Sequence, residues 1–150
     1  FAIDHCSLEV VGIHAAKRGA HFEALEPIRQ GVCHSFGAYC KDVATDLTLR
    51  HDHGSQFIAD DFHNEIKFLG IADSASYMRE PQGNGIAERF VRILKETLLW
   101  VRSFDTVKEL RLALLAFKET YNRQWRIGRH GYRSTAQVRE QQKAEVTKAA

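Results

Sequence analysis

The sequence predicts an α/β fold in which helices are layered against a mixed sheet. Three observations support this prediction. Strand-like and helix-like segments alternate along the chain, the helix-like segments have one apolar side, and no stretch has the composition of an interdomain linker. The chain has 150 residues, of which 44% are hydrophobic and 27% are charged, so it is large enough to bury a core.

The first half of the chain contains four predicted elements. Residues 1–4 and 8–15 are apolar strand candidates joined by a short turn, and we expect them to form a hairpin. Residues 21–36 place apolar side chains at spacings of three and four, which predicts a helix. Residues 47–50 predict a short strand that ends just before a glycine turn.

The second half contains four more elements. They are predicted as a helix, a strand and two helices, at residues 60–69, 71–77, 86–102 and 106–121. Asp105 or Thr106 is the expected cap of the last helix. Met78–Gly85 has the composition of a mobile loop, the pattern beyond Asn122 is irregular and basic, and the end after Gln141 predicts a frayed helix or a disordered tail.

Charge is distributed unevenly between the two halves. Residues 1–74 carry 6 Lys and Arg against 11 Asp and Glu, whereas residues 75–150 carry 15 against 8. An acidic half beside a basic half suits a protein that holds a metal with carboxylates and a polyanion with cations. The apolar stretches are much shorter than the roughly 20 residues of a membrane span. Three cysteines without a C-x-x-C spacing argue against a zinc ribbon, and we expect an intracellular protein.

Two acidic residues stand out by their positions. Asp52 follows the third predicted strand, and Glu88 lies in the first turn of a helix after a glycine-rich loop, with 35 residues between them. Carboxylates are hard oxygen ligands that suit Mg²⁺ or Mn²⁺, and such ions promote phosphodiester cleavage. Taken singly, each acid is more often a turn former or a helix-dipole partner than a catalyst.

The segments around these acids resemble a known family. They are LRHDHGSQF at residues 49–57, GNGIAERF at 83–90 and LKE at 94–96, with YN at 121–122 and GYRSTA at 131–136 further on. The chain is similar to the catalytic cores of DDE-type insertion-sequence transposases and retroviral integrases. The resemblance implies a ribonuclease H-like fold and metal-dependent cleavage and joining of DNA. It also implies that Asp52 and Glu88 are the second and third acids of a triad that binds Mg²⁺ or Mn²⁺.

The chain departs from the family pattern at its beginning. The family fold starts with three antiparallel strands and carries its first catalytic Asp on the first of them, whereas only two strand candidates precede residue 21. We therefore expect the first strand and its Asp to lie upstream of Phe1, which is itself not an initiator Met. Asp4 as the first acid is the alternative. A smaller departure is Thr135, where relatives carry proline and we expect a local loop change.

Ten residues are candidates for contacting DNA, from the resemblance or from their charge: His53, Ser55, Gln56, Asn84, Arg89, Arg92, Lys95, Arg123, Arg126 and Arg129. Each has a structural alternative. Ser55 and Gln56 fit equally well as helix caps, and the basic residues as a solvated stripe or as an exposed loop held in place by Trp125. His51 is expected either in the core or in support of its neighbouring acid.

The leading hypothesis is DNA integration or transposition by metal-dependent cleavage and strand transfer, impaired here by the missing first Asp. Residues 1–122 would form the catalytic core without its first strand, and residues 123–150 a basic, partly disordered extension. The alternative is a catalytically inactive remnant that binds DNA or dimerises. A nuclease for RNA:DNA hybrids shares the acids but lacks the transposase motifs. The expected partners are transposon ends and target DNA, with self-association into a homo-oligomer at the bacterial nucleoid in the cytoplasm.

Overall fold

The computed structural model describes residues 1–52, 54–75 and 85–149. Its strands are β1 (Ala2–Ile3), β2 (Val10–Gly12), β3 (Thr48–His51) and β4 (Ala72–Ala75). Its α-helices are α1 (His21–Phe36), α2 (Asp60–Phe68), α3 (Gly85–Leu94), α4 (Val107–Gln124) and α5 (Thr135–Ala149). The predicted mixed α/β architecture is therefore confirmed. None of the helices in these ranges is long and apolar enough to cross a membrane.

The strands form two pairs of opposite character. β1 and β2 pair antiparallel, with Ala2 opposite Gly12, as the predicted hairpin requires. β3 and β4 pair parallel, with His51 opposite Ala75, and α2 makes the crossover between them. Parallel strands end at the same edge, so the residue that follows β3 lies at the carboxyl edge of this pair.

A close approach between α1 and the hairpin fixes the position of that helix. A Cβ atom placed on Gly12 of β2 would lie 1.9 Å from the carbonyl oxygen of Pro27, which is inside α1. Only a residue without a side chain fits between this strand and this helix. Gly12 therefore allows α1 to lie directly on β2.

The side chain of Asn122, near the end of α4, joins that helix to the hairpin. Its carboxamide oxygen accepts a hydrogen bond from the Val10 N–H (3.0 Å), and its NH₂ group donates to the Val10 carbonyl oxygen (2.9 Å). Asn122 is 6% exposed, so both bonds are shielded from water. The Thr135 hydroxyl in turn donates to the Asn122 carbonyl oxygen (3.2 Å). The YN motif thus has a structural role, and Thr135 adds a hydrogen bond to it.

The described residues form two apolar clusters. In the first, the hairpin packs against α3 and α4 through Leu8, Val10, Ile13, Phe90, Leu94, Leu114, Phe117, Tyr121 and Ile127. The second holds α1 and α2 together through Leu25, Ile28, Val32, Ala44, Phe62, Ile66, Leu69 and Ile71. The second cluster supports the β3–β4 pair, since Leu49 of β3 packs against it.

Several helix boundaries differ from the sequence-based expectation. The helix predicted over 86–102 ends its α-helical part at Leu94 and continues as a π-helical turn at Lys95–Leu99. α4 is capped by the Thr106 hydroxyl, which accepts from the Glu109 N–H (3.1 Å), and it extends to Gln124 instead of ending at Tyr121. The buried bonds of its last turns stabilise this extension.

The end of the chain is helical. α5 runs from Thr135 to Ala149, so of the two expectations for the segment after Gln141, a helix is the one observed. Arg139 of α5 holds the helix against the hairpin, with its Nε 3.1 Å from the buried Glu9 carboxylate. Sequence periodicity did not indicate this docking, because α5 buries the apolar Val138 but has no continuous apolar side, and the ion pair of Arg139 has no sequence period.

A second polar contact joins α1 to α2. The Arg29 guanidinium donates two hydrogen bonds to the Glu65 carboxylate, and the Tyr39 hydroxyl donates a third. Burial works to raise the pKa of Glu65, but the hydrogen bonds from Arg29 and Tyr39 and the charge of Arg29 outweigh it and lower that pKa. Burial beside Glu65 raises the pKa of Tyr39 to about 12. The folded state therefore favours the ionised form of Glu65.

Replacing Asn122 with Ala should destabilise the chain by about 2–4 kcal/mol, because the Val10 N–H and carbonyl would be left buried without partners. Urea unfolding followed by circular dichroism measures the loss. Gln124→Ala, a change at the exposed end of the same helix, is the control and should cost less than about 0.5 kcal/mol. Equal stability of the two variants would contradict this role for Asn122.

Replacing Glu65 with Gln should destabilise the chain by about 1–2 kcal/mol at pH 7, after allowance for the partial exposure of Arg29. The pKa of Glu65 in the folded state is lower than its ordinary value of 4.5. The stabilisation is therefore complete above pH 4.5 and is lost as the pH falls through the pKa of the folded state. Unfolding at a series of pH values should show the two proteins converging in acid. The control, Glu119→Gln, removes only the exposed i,i+4 pair with Arg123 and should change stability little. A Glu65→Gln difference that stays constant down to low pH would rule out the ionised pair.

Candidate active site

Asp52 lies immediately after β3, at the carboxyl edge of the parallel pair, and it is exposed. Its Oδ1 atom accepts a hydrogen bond from the Gly54 N–H (2.9 Å), which closes the turn that the sequence predicted. Its backbone carbonyl oxygen lies 2.7 Å from Nδ1 of His51. Each carboxylate oxygen has two lone pairs, so the bond to Gly54 leaves capacity for a cation.

Glu88 lies in the first turn of α3 and is also exposed. A carboxylate in this position is favoured by the positive end of the helix dipole. One turn further on, Arg92 forms an exposed i,i+4 ion pair with Glu96 (3.0 Å), and Arg89 and Lys95 are exposed on the same helical segment. The region after Glu88 therefore presents cations to solvent, one of them partly neutralised.

The two acids suit a hard divalent cation by the chemistry of their oxygens. Within residues 1–52, 54–75 and 85–149, however, no group of three or more His, Cys, Asp or Glu side chains is arranged to hold a metal ion. His53, Asn84 and most of the predicted Met78–Gly85 loop lie outside the described residues.

Asp4 has a structural role in the hairpin turn. Its carboxylate accepts hydrogen bonds from the Ser7 hydroxyl (2.5 Å) and from the N–H groups of Cys6 (3.1 Å) and Ser7 (3.2 Å). Burial works to raise the pKa of Asp4, but these bonds and the nearby Arg139 lower it overall. The oxygens are committed to the turn, which favours the interpretation of Asp4 as an ordinary residue at a strand end.

Ser55 and Gln56 form a short 3₁₀ turn with Phe57, directly after the Asp52 turn. The helix that follows has Ala59 at its N-cap, and no side chain donates or accepts a capping bond there. The capping alternative for Ser55 and Gln56 is therefore wrong. The exposed Ser55 and half-buried Gln56 lie beside the candidate acid instead.

The basic segment at residues 123–129, which begins in the last turn of α4, is largely exposed and makes local contacts. Trp125 is half-buried and stacks on Tyr121 at a centroid distance of 6.0 Å, which is the anchoring role that one alternative predicted. Arg126 donates to Gln137 of α5 (2.8 Å), Arg123 pairs with Glu119 (3.2 Å), and Arg129 is exposed. Anchoring by Trp125 leaves these arginines at the surface.

Sequence reasoning missed two residues that surround His51. Asp73 of β4 lies with one oxygen 2.8 Å from Nε2 of His51 and the other 2.9 Å from Nδ1 of His63. The His51 ring also stacks on Phe57, with 4.8 Å between ring centroids. His51 therefore packs against an aromatic side chain and also contacts the backbone of Asp52. The strand register could have indicated the contact between His51 and Asp73. Asp73 pairs with Leu49, and Leu49 shares a face of β3 with His51 because the two are two positions apart.

Comparison with known proteins places this geometry in context. Residues 69–134, which include Glu88 and Asn122, match the family described as Integrase core domain. The catalytic core domain of BIV integrase is similar in structure, with a TM-score of 0.59 and 24% identity over 90% of this chain and 79% of that one. No match was found among curated protein sequences.

A second similar structure is the simian T-cell lymphotropic virus intasome, solved in complex with PP2A regulatory subunit B56 gamma. Its TM-score is 0.62, with 20% identity over 81% of this chain and 41% of that one. This chain therefore spans less than half of that relative. At these identities the structures show a shared fold, and the family match covers the segment that contains Glu88. The chain accordingly shares the ribonuclease H-like fold of these integrase structures, and residues 69–134 match the Integrase core domain family.

Proposed function

We propose that this chain is the catalytic domain of a protein that integrates or transposes DNA by metal-dependent cleavage and strand transfer. The observation that carries the proposal is the placement of two exposed acids within the integrase motifs. Asp52 ends a parallel strand, and Glu88 begins the helix within the segment that matches the family. Both positions leave the carboxylates open to solvent and substrate.

Asp52 and Glu88 would hold Mg²⁺ or Mn²⁺ through hard oxygen ligands. When bound, such an ion promotes attack by water or by a DNA 3′-hydroxyl and offsets the charge that builds on the scissile phosphate. The Gly54 N–H holds one oxygen of the Asp52 carboxylate. A third acid completes the set, and we expect it on a strand upstream of Phe1, because Asp4 is committed to the hairpin turn.

We infer that ten polar and basic residues contact DNA. They are His53, Ser55, Gln56, Asn84, Arg89, Arg92, Lys95, Arg123, Arg126 and Arg129. Arginine and lysine contacts to phosphates would fix the position of the duplex without selecting a sequence. The partners would be transposon ends and target DNA, in a homo-oligomer at the bacterial nucleoid. The similarity to a chain of an intasome supports assembly on DNA.

The second candidate is an inactive remnant that binds DNA or dimerises. It is favoured by the absence, within the described part of the chain, of three side chains grouped for a metal. The two candidates share the basic surface and differ in catalysis. Cleavage by a form that carries the third acid separates them.

The 150-residue chain and a form extended upstream of Phe1 in its own reading frame should differ in DNA nicking and joining. With Mg²⁺ or Mn²⁺ we expect the extended form to act on labelled transposon-end DNA, and Asp52→Asn and Glu88→Gln to reduce its rate at least 100-fold. Both acids are exposed, so folding should change by less than about 0.5 kcal/mol. Asp46→Asn, at an exposed acid in a turn, is the control. Undiminished activity in both site variants would contradict the proposal. If the extended form binds DNA but does not cleave it, the second candidate, an inactive remnant, is supported.

DNA affinity should fall steeply with salt, because phosphate contacts release counterions. The triple variant Arg123→Ala, Arg126→Ala, Arg129→Ala should lower the slope of log affinity against log salt by up to about 3, since each arginine that binds a phosphate accounts for about 1. Fluorescence anisotropy with a short duplex measures this slope. A triple variant at other exposed cations, Lys17→Ala, Arg18→Ala, Lys41→Ala, is the matched control. If both variants shift the slope equally, residues 123–129 are not a specific contact surface.

A further inference from the structure

Three side chains from three elements form a series of polar contacts next to Asp52. His51 ends β3, Asp73 lies on β4, and His63 lies on α2. The Asp73 carboxylate is placed between the two rings, 2.8 Å from Nε2 of His51 and 2.9 Å from Nδ1 of His63. Nδ1 of His51 lies 2.7 Å from the backbone carbonyl oxygen of Asp52, so the series ends on the acid itself. We name these three residues the His–Asp–His series.

The His51 ring is held in one orientation by contacts on every side that the structure describes. Its two nitrogens face oxygen acceptors at opposite ends of the ring, and its face stacks on Phe57 (4.8 Å between centroids). The Phe62 ring meets it edge-on at 5.7 Å. Only 7% of the side chain is exposed, and the ring cannot turn without losing its contacts with the Asp52 carbonyl and with Asp73.

The His51 ring contacts Asp52 through the backbone carbonyl oxygen and not through the carboxylate. The Asp52 carbonyl is held by His51, and the Asp52 carboxylate is held by the Gly54 N–H two residues later. Together the two contacts restrict the orientation of the Asp52 carbonyl and of its carboxylate. A metal ligand gains affinity when its orientation is set in advance by groups that do not touch the metal.

We propose that the His–Asp–His series positions Asp52 for metal binding, with His51 as the residue that acts on the acid and Asp73 and His63 as its support. The inference rests on the proposed function, since it assigns these residues to the same site. A purely structural role fits the outer members less well. Asp73 and His63 are 30% and 46% exposed, so their pairing is open to solvent and adds little to the stability of the fold.

Two variants separate positioning from packing. His51→Phe keeps an aromatic ring between Phe57 and Phe62 but removes both nitrogens. Asp73→Ala removes the link between the rings at a partly exposed strand position and serves if His51→Phe fails to fold. His63→Ala removes only the outer contact, with Asp73, and His5→Ala is the matched control at an exposed histidine in the hairpin turn.

Two NMR measurements on the 150-residue chain provide the test. The first is the hydrogen-exchange rate of the Gly54 amide, which reports its bond to Asp52 without any metal. The second is a Mn²⁺ titration followed by paramagnetic broadening of the amides near Asp52. We expect His51→Phe and Asp73→Ala to speed Gly54 exchange and to weaken Mn²⁺ binding about 10- to 100-fold, the usual cost of losing a group that orients a metal ligand. His63→Ala should have a smaller effect, and His5→Ala none.

The outcomes distinguish this inference from the proposed function. If Asp52→Asn binds Mn²⁺ as the unchanged chain does, the metal-binding part of the proposed function fails, and Gly54 exchange alone decides whether the series positions Asp52. If the unchanged chain binds Mn²⁺ and Asp52→Asn does not, while both series variants keep normal affinity and normal Gly54 exchange, positioning is overturned.

Discussion

The structure depends on the hydrogen bonds that the Asn122 side chain makes with the backbone of Val10. A side-chain amide carries one acceptor and two donors, so a single residue can satisfy both polar groups of a strand residue. Here it does so out of contact with water, between residues 112 positions apart in the chain. The hairpin, the end of α4 and the start of α5 meet at this point. The apolar cluster that carries α3 is built around the same hairpin, so the position of Glu88 depends on it indirectly.

The second half of the site depends on a different set of contacts. Asp52 belongs to the β3–β4 pair, which packs against the cluster that α1 and α2 share, and Gly12 sets how closely α1 lies on the hairpin. The elements that carry the two candidate acids therefore pack against separate apolar clusters. The two clusters meet where α1 lies on the hairpin. Such a site is assembled by the fold as a whole and not by a local motif.

Much of this arrangement follows from sequence patterns with a clear physical period. Apolar spacing located α1, α2 and α4 to within a few residues, and the turn chemistry at Gly54 placed Asp52 at a strand end. Contacts between distant polar groups have no such period. Two examples are the contact of Arg139 of α5 with Glu9 and the contacts of Asp73 with His51 and His63. Each joins elements that come together only when the chain folds. The π-helical turn after Leu94 also left no signal in the spacing of apolar residues.

The central claim is that Asp52 and Glu88 bind one divalent metal together. The most direct measurement is anomalous diffraction from crystals of the chain that are soaked in Mn²⁺. We predict an anomalous peak in contact with oxygens of both carboxylates, at about 2.0–2.2 Å from each. A peak at other residues, or on one acid while the other points away, would contradict the claim.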